Sequence, residues 1–87
     1  MFGSIDANLK DLQTEFSQVL SNEILFDIQS FIDAREWEMA LEELCFKLLE
    51  NKININEKQY QKIESVGVQM KMEKKYWEMV KPLIKNY

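Results

Sequence analysis

The side chains in this chain with the means to do chemistry are carboxylates and a single thiol, and there is no histidine. Glu38 and Glu42 stand four residues apart, as do Glu23 and Asp27, a spacing that puts both members of a pair on one helical flank. Such pairs could hold a divalent cation or form an acid–base dyad. Neither motif is complete here. Calcium loops need alternating acids and a glycine turn, and imidazole, the commonest general base and metal ligand, is missing. Cys45 lies on an apolar stripe with no histidine to deprotonate it, and reads as a small buried hydrophobe. No phosphate-cradling glycine loop occurs, and 87 residues leave little room for a lined pocket. The sequence therefore predicts no catalytic residue, no metal and no cofactor. What is left for the carboxylates is a solvated face or an interface.

The densest acid coincides with the best helical pattern, over Asp33 to Glu50. Trp37, Leu41, Leu44, Cys45 and Leu48 recur at three- and four-residue steps, with Ala40 at the edge of the stripe, and predict the core face of a central helix. On the opposite side of the same wheel fall Glu36, Met39, Glu43, Phe46 and Glu50. Two large apolar side chains thus stand among three carboxylates, and Phe26 points outward near Glu23 and Asp33 on the preceding helix. Aromatic and methionine anchors inside a charged rim are common at specific interfaces. A second layer of packing between helices would use the same pattern.

Composition narrows the class. One domain is expected over residues 1–87, because a chain this short needs most of its length for one core. With 46% hydrophobic residues, 30% charged, 2 glycines and 1 proline, the chain suits neither disorder nor a turn-rich β-sandwich. The net charge of −4 is unevenly spread. Residues 1–50 carry eleven acids against three basic residues, a net of −8, whereas residues 51–87 carry eight lysines against four acids, a net of +4. Acid at that density repels phosphate backbones and anionic membranes and attracts cationic proteins. The later lysines are scattered among acids without a run or interleaved aromatics, so nucleic acid is not expected as a partner. A single cysteine, no span-length apolar run and no signal peptide predict a cytoplasmic protein that is not a membrane partner.

Along the chain, Met1 to Gly3 read as a frayed leader and Ser4 as the cap of a first helix of about four turns, with Ile5, Leu9, Leu12, Phe16 and Val19 or Leu20 inward. Ser21 and Asn22 offer the cap of a second, starting near Glu23 and buried along Ile24, Leu25, Ile28, Phe31 and Ile32. Asp33-Ala34-Arg35 separates it from the central helix, which ends at a left-handed Asn51. Asn56 to Gln59 forms a capping box, flanked by Ile55 and Tyr60. Gly67, inside that fourth helix, predicts the close approach of a neighbouring helix. A short helix from about Glu73 carries Trp77, Pro82 stops it, and the tail from Leu83 to Tyr87 adds a turn. The fold expected is all-α, a compact bundle of four to five short helices, with Trp37, Tyr60 and Trp77 in its core.

The run Trp37-Glu38-Met39-Ala40-Leu41-Glu42-Glu43-Leu44-Cys45, with the linker and cap from Ile53 to Tyr60, Ile63, Gly67 and the later Tyr76-Trp77 pair, resembles the MafI-type immunity proteins of bacterial polymorphic toxin systems. The resemblance extends from about Ile24 to Leu83. It implies a small helical cytoplasmic protein that performs no chemistry itself and neutralises the C-terminal toxin domain encoded beside it, usually a nuclease. The family transfers no interface residue. The helical wheel supplies the candidates instead: Glu23, Asp27, Asp33, Glu36, Met39, Glu43, Phe46 and Glu50. A nuclease cleft must hold a polyanion and is commonly cationic, so an acidic face could cover it or bind beside it.

Two other readings compete. A helical adaptor, or a weakly self-associating regulator, would use the same Met39 and Phe46 surface on another protein or on a second copy. A nucleic-acid binder would have to use Lys58, Lys62, Lys71, Lys74 and Lys75, against the net charge.

Overall fold

A computed structural model describes residues 4–85 of the protein, so the leader Met1 to Gly3 and the final residues Asn86 and Tyr87 lie outside the described part. Five α-helices follow in order: α1 (Ile5–Glu15), α2 (Asn22–Asp33), α3 (Trp37–Glu50), α4 (Glu57–Gln69) and α5 (Lys75–Glu78), then a 3-10 turn at Lys81–Leu83. Among the described residues β-pairing is limited to one isolated parallel bridge, Ile55 with Ile84.

Helix starts follow from side-chain oxygens. The Ser4 hydroxyl accepts from Ala7 N–H at 3.0 Å, and Ser21 accepts from Ile24 N–H at 3.2 Å. At α4 the predicted box is complete, with Gln59 N–H donating to Asn56 Oδ1 at 2.7 Å and Asn56 N–H donating to Gln59 Oε1 at 2.8 Å. Each bond satisfies an amide that has no partner within the helix.

Helix α1 is shorter than its pattern suggested. Thr14 and Ser17 hydroxyls donate to the Lys10 and Thr14 carbonyls, and the backbone tightens into i→i+3 bonds from Phe16 onward. The turn that follows buries Phe16 and Leu20 and leaves Val19 exposed. The break expected at Asp33-Ala34-Arg35 falls one residue later: Asp33 closes α2, residues 34–36 form the connection, and the central helix begins at Trp37.

Helices α2, α3 and α4 end in one way. Past each, a residue with positive φ lets the next two amides fold back: Arg35 (φ 60), Lys52 (φ 51) and Lys71 (φ 58). Arg35 N–H donates to Ile32 O and Glu36 N–H to Phe31 O; the Lys52/Ile53 and Lys71/Met72 pairs repeat the pattern. These are Schellman caps with a long cation where glycine is usual. The left-handed residue after α3 is thus Lys52, while Asn51 has φ −91.

Helix α3 packs against α1, α2, α4 and α5 and supplies the centre of a single core cluster. Ala40 is fully buried with Leu41, Leu44, Cys45 and Leu48, and is no edge residue. Trp77 and Tyr60 are buried as expected, whereas Trp37 is only partly so. Gly67 of α4 lies against the Trp77 ring, and a Cβ there would overlap Cε3 and Cζ3 and sit 3.0 Å from Cδ2. The close approach predicted from Gly67 is this one. Pro82 sits within the 3-10 turn and does not simply stop α5. Beyond it, the tail pairs with the linker after α3: Ile55 N–H donates to Leu83 O at 3.0 Å, and Lys85 N–H to Ile55 O at 2.9 Å.

Candidate protein-docking surface

No charged or polar side chain is buried among the described residues, so every carboxylate reaches the surface. What distinguishes the positions is whether a carboxylate is paired and what stands beside it. On α1, Asp6 pairs with Lys10 at 3.0 Å, and Lys62 of α4 bridges to Asp11 at 3.6 Å and Glu15 at 3.4 Å. Those two carboxylates raise the Lys62 pKa through hydrogen bonding and charge. Lys62, one of the lysines a nucleic-acid binder would need, is thereby held by acids in a polar groove between α1 and α4.

On α2 and α3 the acids are mostly unpaired. Among the described residues only Glu50 forms an ion pair, with Lys47 at 3.1 Å. The Glu50 hydrogen bond and charge raise the Lys47 pKa, with the Glu43 and Asp27 charges adding to the effect. The Lys47 ammonium also stands 5.7 Å from the centre of the Phe46 ring. Asp33 accepts from Gln29 Nε2 at 2.8 Å.

The outward side of α3 carries Met39 (47% exposed) and Phe46 (50% exposed), and α2 carries Phe26 (71% exposed). They face solvent and form no second packing layer. Met39, Glu43 and Phe46 line a shallow groove of 400 Å³ together with Phe31, Glu42 and Met79. Four apolar side chains and two carboxylates, with no cation, make up that lining. Met39 also borders a second groove, of 510 Å³, which holds Glu36 and Glu38 beside Arg35, Trp37, Met70 and Lys71.

The candidate residues therefore divide. Met39, Glu43 and Phe46 converge in the first groove and Glu36 falls in the second, while Glu23, Asp27, Asp33 and Glu50 line neither. Phe31, Glu42 and Met79 complete the first groove. Phe31 belongs to the α2 core stripe in the sequence pattern, and its half-buried position at the stripe's edge is set by how α2 packs. Met79 follows α5 and is brought to α3 only by the tertiary fold.

Among the described residues no group of three or more His, Cys, Asp or Glu side chains could hold a metal ion. The Cys45 thiol is pushed up to about 12, by burial first and then by the Glu42 charge, which keeps it protonated and unreactive. Among the described residues no helix is long and apolar enough to cross a membrane. Compared with known protein families, curated proteins and solved structures, the chain matches none of them.

Proposed function

We propose that this chain is a cytoplasmic immunity protein that binds and neutralises a cognate Maf-type polymorphic toxin domain, a nuclease, and performs no catalysis of its own. The observation that carries the reading is the cation-free groove between α2, α3 and the end of α5, where Met39 and Phe46 stand exposed beside Glu42 and Glu43. The resemblance of residues 24–83 to MafI-type proteins gives the partner its identity. The groove's carboxylates and exposed apolar side chains support a partner with a cationic surface and an apolar anchor. Association would be steered by the unpaired carboxylates of α2 and α3 and held by burial of Met39 and Phe46. Covering a cationic nuclease cleft in this way would exclude its polyanionic substrate.

The test is calorimetric titration of this chain with the toxin domain encoded beside it. One-to-one binding is expected, and Glu43→Lys or Phe46→Ala should weaken it at least about tenfold without unfolding the chain. Unchanged affinity in both variants would move the interface elsewhere, and absence of binding would end the immunity reading. A self-associating adaptor is the second reading, favoured by the exposure of Phe26 and Val68 outside both grooves. Light scattering that shows a concentration-dependent dimer would bring it forward.

A further inference from the structure

Met39 is a ridge between two grooves of different character. Carboxylates supply all the charge in the first. The second, beside Trp37, has two cations on its wall, Arg35 and Lys71, and neither forms an ion pair among the described residues, although Glu36 and Glu38 share the rim. Both cations are Schellman-cap residues with positive φ, a backbone conformation that glycine would adopt without strain. Two of the three such residues thus converge on one groove. The Trp37 side chain lines the groove with them. Met39 and Met70 give the same groove an apolar lining.

Two exposed cations without an ion pair among the described residues, beside the apolar side chains of Trp37, Met39 and Met70, favour an acceptor that is anionic and partly apolar. We infer that the Trp37 groove receives a carboxylate side chain of the partner protein, between Arg35 and Lys71, while the neighbouring groove receives its basic side chains. The surface then recognises a bipolar patch, and charge order across Met39 sets the orientation of docking. A uniformly basic partner would meet Arg35 and Lys71 as like charges, which are costly at close range. The inference rests on the immunity reading, since it concerns the same partner.

Its test exploits the caps. In Arg35→Gly/Lys71→Gly the two charges are lost while glycine favours the left-handed turn, so the fold is kept and a change in affinity reports on the groove. Binding to the toxin domain is titrated for the wild-type chain and this variant, with circular dichroism as the folding control. At least a tenfold weakening is expected. Unchanged or tighter binding would overturn the inference, since removing positive charge from a surface that meets only cations strengthens association, and it would leave the immunity reading intact. A wild-type chain that binds no toxin would remove both. Should the double glycine variant lose helicity, Arg35→Gln/Lys71→Gln replaces it, deleting both charges but keeping side chains with a Cβ at the caps; undiminished affinity there counts equally against the inference.

Discussion

Gly67 lies under the Trp77 ring with no room for a methyl group. In an open helix, glycine to alanine would stabilise by about 1 kcal/mol. Here the added carbon must displace an indole that is itself packed into the core, and overpacking of that kind costs about 1–3 kcal/mol. Gly67→Ala should therefore lower the unfolding free energy by about 1–2 kcal/mol in urea titration, the reverse of the helix-propensity expectation. In Gly67→Ala/Trp77→Leu the two losses should fall short of additive, because the clash disappears with the ring; full additivity would mean that the ring is not what Gly67 accommodates. The need for close approach at Gly67 was legible in the sequence, since a glycine inside a helix requires a reason. That the neighbour is Trp77 was not, because nothing local joins the two. Met39 and Phe46 were legible as outward for the converse reason, their place on the wheel opposite a well-filled stripe. Trp37 was read as core and is only partly buried, packed against the core cluster from the first position of α3.

At the scale of elements, helix starts were easier to read than helix ends, and the difference is physical. A start is satisfied by a side-chain oxygen, so Ser4, Ser21 and Asn56 announce themselves. The exception supports the rule: α3 has no side-chain cap, and its start was marked only by the break at Asp33-Ala34-Arg35, not by a capping residue. A Schellman end is satisfied by backbone amides alone and advertises itself only when glycine or asparagine takes the left-handed position. Arg35, Lys52 and Lys71 carry no such signal. Their charge lies at the negative end of a helix dipole, worth about 0.3–1 kcal/mol, against about 1–2 kcal/mol for the left-handed backbone of a residue with a Cβ. Lys52 lines neither groove of the docking surface, so it isolates the balance. Lys52→Gly should raise the urea midpoint, with a gain of about 0.5–1 kcal/mol and an unchanged slope. A lower midpoint would mean that the lysine charge or stem stabilises the cap by more than the backbone term.

The charge asymmetry read along the chain takes another form once the molecule is folded. Lys62, from the cationic half, crosses to Asp11 and Glu15, and Asp6 is answered within α1 by Lys10. All three acids of α1 are therefore paired, whereas among the described residues only Glu50 is, of the eight on α2, the connection and α3. Folding thus leaves most carboxylates of α2 and α3 without an ion pair among the described residues, and Glu42 and Glu43 among them stand beside Met39 and Phe46. A field with that origin acts over about a Debye length, some 30 Å at 0.01 M salt and 3 Å at 1 M. It follows that toxin association should slow by roughly tenfold or more between about 0.02 M and about 0.5 M salt, while dissociation, governed by buried apolar contact, changes little. Stopped-flow association at a series of salt concentrations checks this. An association rate indifferent to salt would leave burial at Met39 and Phe46 as the source of binding and deny the carboxylates any steering role. A strong salt effect confined to dissociation would place the charged contacts inside the closed interface and not at its approach.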